Sequence, residues 1–360
     1  MYLDHFQLRE HPFRITPDAQ FLFMSESHAR AKAYMDYTIR NRDGFVVITG
    51  EVGAGKTTLI RKLLSEFEDN VLVAKIFQTQ IDEVEFLQAV LVEFGLSPYK
   101  AVGKVELMDM LSNFLIESFH AGKQLVLIVD EAQNLSARVL EEVRLLSGLE
   151  TNKQKILHVI LVGQPELNAT LDSPEMAQLV QRVRLRFHIR ALNEGETRDY
   201  ILHRLRVAGA SANLFDVAAV PFVYRYTGGI PRLINTLCDT ALLCAFADDE
   251  PRVTPTSVQA AIAELQWPPY SQRPKLTQAP RQPLTAKGNV HVLNGFNKNG
   301  AIAPDIAQRL DNIETSLRLV LALLQRKNRK ISVRLGRAQL TELVRHLTVE
   351  MEKNHIHLGS

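Results

Sequence analysis

Gly50-Glu51-Val52-Gly53-Ala54-Gly55-Lys56-Thr57 places a glycine at each end of a six-residue span and follows it with a lysine and a hydroxyl residue. This spacing suits one task, the cradling of phosphate. Glycines let backbone N–H groups curl around phosphate oxygens where a Cβ would collide. A helix opening near Gly55 turns its positive end toward the same anion. Lys56 then reaches the β- and γ-phosphates of a nucleotide such as ATP, and the Thr57 hydroxyl is placed to ligate Mg²⁺.

Four further groups fit around that loop. Asp130 and Glu131 follow the apolar run Leu125–Val129, and the carboxyl end of a buried strand is where ligands of open sheets bind. Asp130 is expected to orient Mg²⁺, and Glu131 to polarise an attacking water as general base. Gln164 follows a second such run, HVILVG. It would stand beside the acidic pair, as a sensor of the γ-phosphate, if the two strands are neighbours. Arg182, Arg184, Arg186 and Arg190 form an arginine-rich stretch. On a strand, alternate residues share a face, so the first three are expected to point together. One of them would offer a guanidinium to the γ-phosphate of a neighbouring subunit. Gly228-Gly229-Ile230-Pro231-Arg232 reads as a turn into a helix, with Pro231 at its first position aiming Arg232.

The elements that must position these groups show in the hydrophobic pattern. FVVIT, VLVAKIF, LVLIV and HVILVG are short apolar runs of the kind that form buried parallel strands. Between them, residues 57–67, 83–94, 105–119 and 137–149 repeat apolar positions at helical spacing. Such alternation predicts an α/β fold, a parallel sheet with helices on both faces. After about residue 192 the strands stop. Helices are expected over 194–207, 215–226, 231–247 and 254–265, forming a small all-helical lid. The expected domains are thus a nucleotide-binding core over 1–191, which includes an extended aromatic N-terminal segment, and a lid over 192–267. Residues 268–304, rich in Pro, Gly, Gln and Asn, are expected to form a disordered linker. A heptad seam from Ile306 to Leu324 marks 305–360 as a helical segment, either a coiled coil or a helix packed on its own body.

Composition narrows the classes. With 46% hydrophobic and 23% charged residues, the 360-residue chain has the profile of a globular protein. The net charge of +2 hides an acidic body and a basic tail: residues 271–360 carry 15 Lys and Arg against 6 Asp and Glu. Basic tails meet nucleic acid, anionic lipid or acidic protein faces, or simply keep a segment solvated. Cys238 and Cys244, six apart in one expected helix, are spaced for neither a disulfide nor a metal site, and they fit a reducing cytoplasm. No signal peptide and no transmembrane segment is expected.

The phrases LREHPFRITPDAQFLF, GFVVITGEVGAGKTTLIRKLL, LVLIVDEAQNL, LVGQPEL, LVQRVRLRFHIRAL and YTGGIPRLINTLCD, over about residues 1–267, resemble the general secretion pathway protein A type of AAA+ ATPase. That group includes ATPases of type II secretion, of pilus biogenesis and of exopolysaccharide loci. The resemblance implies ATP held between core and lid, with Mg²⁺, at a phosphate loop over Gly50–Thr58. It implies Gln164 as first sensor, Arg232 as second, and Arg182 as the trans-acting arginine with Arg184 its rival. It further implies a homo-oligomer that works with envelope-assembly or secretion proteins. Members that assemble secretins continue into a transmembrane helix and a cell-wall-binding domain, whereas a linker and a basic helix stand here. A cytoplasmic member, recruited to the inner membrane by partners, fits that tail. A DNA-associated ATPase of the transposition-accessory type and a nucleotide-switched scaffold are the alternatives, and nucleic acid is the less favoured partner.

Overall fold

The computed structural model describes residues 2–41, 44–98, 103–150, 154–211 and 213–273. The expected segment 305–360 and nearly all of the expected linker lie outside them.

Five strands form one parallel sheet: β1 (Phe45–Gly50), β2 (Val71–Ile76), β3 (Gln124–Val129), β4 (Leu157–Gly163) and β5 (Leu185–Ile189). Their spatial order is β2-β3-β4-β1-β5. Central strands buried on both faces need apolar residues at every position, and β1 and β4 are buried throughout. Alternate residues serve opposite layers. Val46 and Ile48 pack with α2 (Glu26–Arg40) and α3 (Lys56–Leu64) through Ala31, Met35, Leu59 and Leu63. Phe45 and Val47 join the other layer, built on α4 (Glu83–Glu93), α5 (Lys104–His120), α6 (Ala137–Leu146), α7 (Glu166–Leu171) and α8 (Ala177–Val180). Because β4 lies between β3 and β1, the residues that follow those three strands converge at one end of the sheet.

The lid contains α9 (Glu194–Val207), α10 (Val220–Thr227), α11 (Pro231–Ala247) and α12 (Pro255–Glu264). Helix α10 starts later than the expected 215. Asp216 caps a single 3-10 turn at Val217–Ala219, and Phe215 bridges to Val253 instead. Gly228 ends α10 in the left-handed conformation, and Pro231 opens α11.

The N-terminal segment differs from expectation. Assigned by sequence to the core, it packs in the lid. Tyr2, Phe6, Phe13 and Phe21 share a hydrophobic cluster with Tyr200, Leu205, Leu237 and Leu242. The short helix α1 (Tyr2–His5) lies on α11, and Arg9 N–H donates to the Ala208 carbonyl at 2.8 Å. Two prolines keep residues 8–23 out of a long helix; the chain runs through turns and bends with one 3-10 turn at Ala19–Phe21, not the extended course expected, and the aromatics find their complement on the helical lid. The lid also runs past residue 267. Arg273 stacks on Trp267 with its guanidinium 4.1 Å from the ring centroid, and donates to the Tyr226 carbonyl at 2.9 Å. The first six residues of the expected linker therefore belong to the folded body.

Candidate nucleotide site

The loop between β1 and α3 makes the turn its glycines predict. Gly53 and Gly55 have φ of 81° and 91°, values costly for residues with a Cβ. A Cβ on Gly53 would lie 2.4 Å from Arg232 Cβ, and one on Gly55 would lie 3.0 Å from His28 Nε2. Lys56, only 5% exposed, lies inside the loop and donates from Nζ to the Gly50 and Glu51 carbonyls at 2.7 and 3.0 Å. Burial pulls its pKa down, opposed by Glu131, Asp130, Glu51 and Glu166. Thr57 follows, its hydroxyl donating to Asp130 Oδ2 at 2.7 Å. The hydroxyl and the carboxylate that would share Mg²⁺ are thus already in contact.

The two neighbouring carboxylates lie in different environments. Burial raises the Asp130 pKa, against the opposing Thr57 and Glu131 N–H bonds. For Glu131 burial pushes the same way, but the Gln133 and Gln164 amides and Lys56 outweigh it and leave its pKa lowered. The two carboxylates are thus pushed in opposite directions. Glu131 has φ 52°. Its Oε2 accepts from Gln133 Nε2 at 2.7 Å and Gln164 Nε2 at 3.1 Å, and its carbonyl accepts from the Thr79 hydroxyl at 3.2 Å. Gln164 therefore stands where the sequence reading placed it, beside the acidic pair.

Arg232 also reaches the loop. It is the second residue of α11, and its backbone N–H donates to the Gly53 carbonyl at 3.2 Å. This is a direct lid-to-loop bond. Together, loop, N-terminal segment and lid line a cavity of about 460 Å³ bounded by Arg14, Phe21, Lys56, Tyr200, Arg204 and Arg232, a size suited to a small-molecule ligand.

The arginine-rich stretch does not lie as expected. Strand β5 begins at Leu185, so Arg182 and Arg184 precede it and do not share a strand face with Arg186. Arg182 bends to the carboxyl end of α6, where Nη1 donates to the Arg144 carbonyl at 2.7 Å and the Ser147 hydroxyl at 3.3 Å. Free carbonyls at a helix end attract a guanidinium. Arg186 pairs with Asp172 at 2.6 Å. Arg184 N–H donates to the Phe45 carbonyl, at the end of β1 opposite the phosphate loop and roughly 17 Å from it along the strand.

Three further residues contribute that no motif assigned to the site. Gln133 bridges two of the assigned residues, accepting from Gln164 N–H at 3.0 Å while donating to Glu131. It lies in the phrase LVLIVDEAQNL, two residues after Glu131, but no role was assigned to it. Thr79 carried no signal. His28, buried in α2, braces the loop: Nε2 lies 2.8 Å from the Ala54 carbonyl and Nδ1 lies 2.7 Å from Ser25 Oγ. A carbonyl only accepts, so Nε2 carries the proton and Nδ1 accepts from the serine. Burial lowers the His28 pKa, opposed by the Ala54 bond and Glu196. The folded state thus favours the neutral ring. The resulting stability is present above the unfolded pKa of about 6.5 and is lost as pH falls through it toward the lower folded value. In thermal unfolding scanned from pH 7.5 to 5, His28→Gln should show a shallower acid-side loss than the wild type. An unchanged slope would remove His28 from that role.

A family model described as an AAA domain matches residues 39–171. The chain is 41% identical over 265 residues to General secretion pathway protein A of Aeromonas hydrophila, an alignment covering 74% of this chain and 48% of that protein. The chain belongs to the AAA+ family. It spans about half the length of the curated relative it matches. Among solved structures, Cdc6p from Pyrobaculum aerophilum superposes with a TM-score of 0.57 at 16% identity, covering 70% of each chain. The Aeropyrum pernix ORC2 protein in its ADPNP-ADP complexes gives 0.56 at 16% identity, covering 71% of this chain and 72% of that one. Drosophila ORC bound to DNA gives 0.56 at 20%, covering 73% and 66%. These likenesses concern the AAA+ fold alone. Two features of this AAA+ chain fit nucleotide and Mg²⁺: the loop glycines whose Cβ positions are taken, and the Thr57–Asp130 pair. Among the described residues, no helix is long and apolar enough to cross a membrane, and no cluster of three or more His, Cys, Asp or Glu is placed to hold a metal by itself.

Proposed function

We propose that the protein is an ATPase that binds Mg²⁺-ATP and hydrolyses it to drive or regulate assembly of a cell-envelope secretion, pilus or exopolysaccharide system. The observation that carries the hydrolase part is the placement of Glu131. It is held by two amides, kept ionisable, and set next to the Thr57–Asp130 pair and Lys56.

The loop N–H groups of Gly50–Thr58 and Lys56 hold the phosphates. Thr57 and Asp130 would hold Mg²⁺, which would supply charge neutralisation at the phosphates. Glu131 accepts the proton of the attacking water, while Gln133 and Gln164 keep its carboxylate in place. Arg232 links nucleotide to lid through its bond to Gly53. The trans-acting arginine is Arg182, with Arg184 its rival, in a homo-oligomer. Both flank the start of β5, far along the sheet from this chain's own loop, a position that suits service to a neighbour. The secretion context rests on the relative from Aeromonas hydrophila, and a cytoplasmic location with recruitment to the inner membrane goes with it.

Phosphate release by purified protein, with ATP and Mg²⁺, tests the reading. Turnover should fall at least about tenfold on chelating the metal. Absence of metal-dependent turnover in both monomer and assembled fractions would defeat it.

A further inference from the structure

The cavity has two ends of different construction. One is the phosphate loop. The other is formed by residues 14–23 and the lid, and must take whatever part of the ligand lies beyond the phosphates. That second end depends on one buried cation. Arg204, on α9, is 7% exposed. Its Nε donates to the Pro12 carbonyl at 2.6 Å, its Nη2 to the Arg14 carbonyl at 3.1 Å, and its Nη1 to the Tyr200 hydroxyl at 3.3 Å. The guanidinium also lies 4.5 Å from the Phe21 ring centroid. Asn235 of α11 completes the fastening, donating to the Arg14 carbonyl at 3.2 Å and accepting from the Tyr200 hydroxyl at 2.7 Å. Further along the same peptide, the Pro17 carbonyl accepts from Arg61 of α3.

A buried charge is costly unless hydrogen-bonded. Here its partners are two main-chain carbonyls, a hydroxyl and an aromatic face, with no carboxylate among the described residues. A guanidinium so committed fixes a peptide in place rather than a phosphate. The peptide 12–17 is tied to the lid by Arg204 and Asn235, and to the helix of the phosphate loop by Arg61. It crosses the cavity wall between the two.

We propose that Arg204, seconded by Tyr200 and Asn235, is a positioning residue that shapes the base-and-sugar end of the site by fixing residues 12–17 to the lid. This rests on the nucleotide reading above. It predicts that the peptide is part of the ligand site, and that the lid cannot move without carrying it.

The test compares two probes, Mg²⁺-ATP and Mg²⁺-tripolyphosphate, by calorimetry on the full chain. Arg204→Met should weaken ATP binding about tenfold or more, the effect of losing charge-assisted bonds, while tripolyphosphate affinity stays within about twofold. Tyr200→Phe and Asn235→Ala should move ATP alone in the same direction by smaller factors, and they carry the test if Arg204→Met does not fold. Unchanged ATP affinity in these variants would overturn the proposal. So would an equal loss for both probes, which would make Arg204 a phosphate ligand. A wild-type chain that binds neither probe would instead sink the nucleotide reading on which the proposal stands.

Discussion

Glu131→Gln should lower ATP turnover by about 10²- to 10⁴-fold, the range for loss of a general base, while ATP binding stays within a few-fold of wild type. The geometry makes this substitution unusually clean. The carboxylate is fixed by Gln133 at 2.7 Å and Gln164 at 3.1 Å through one oxygen, Oε2, and an amide of the same shape can set its carbonyl oxygen there and accept both bonds. The backbone at Glu131 is fixed independently, through Thr79. What the amide lacks is the capacity to take a proton from water. Binding should survive because the phosphate contacts come from the loop and Lys56, which do not rest on Glu131. Phosphate release and nucleotide affinity measured on one preparation separate the two. Wild-type turnover would remove Glu131 from the role of base, and a parallel loss of affinity would make it a ligand.

The legible part of this site was the part made of contiguous sequence. The phosphate loop, Asp130, Glu131 and Gln164 each follow a buried apolar strand. Parallel strands deliver their carboxyl ends to one edge of the sheet whatever their order, so motif and strand together located four elements. The strand order β2-β3-β4-β1-β5 could not be read from the chain; it is what sets Gln164 between loop and acidic pair. Arg182 shows the limit of period-two reasoning. Alternation places side chains on one face only within a strand, and β5 starts at Leu185. Arg182 instead answers the free carbonyls that end α6. The N-terminal segment failed for a related reason. Aromatic content signalled burial, but not against what, because nothing local distinguishes a surface on the sheet from one on the lid. Residues 14–23 thereby entered the site although the phrase that contains them, LREHPFRITPDAQFLF, assigned them no site role.

Gly229→Ala should cost roughly 3 kcal/mol or more of stability, near the upper part of the range for single substitutions, and lower the melting temperature by about 6–12 °C in a domain of this size. Gly229 lies in the turn between α10 and α11 with φ 73°. Its carbonyl accepts from Leu192 N–H at 2.9 Å, where the chain enters the lid. A Cβ there would lie 1.8 Å from the Leu192 carbonyl oxygen and 2.8 Å from its carbon. Those atoms are backbone, held by the bond from the same residue's N–H to Gly229 and by the Asn193 cap of α9, so they cannot yield as a flexible side chain would. Gly122→Ala isolates the two contributions. Gly122 has φ 80° but nothing within 4 Å of its Cβ position, so it should show the backbone strain alone, about 1–2 kcal/mol. The difference between the variants measures the close approach of the two main chains. If the two were equally stable, the tight hinge would not be what the Gly228-Gly229 pair provides. If Gly229→Ala is the less stable, the pair is explained without any ligand. The glycines then serve to bring the lid's two entering chains into contact, which lets Pro231 start α11 where Arg232 N–H meets the Gly53 carbonyl.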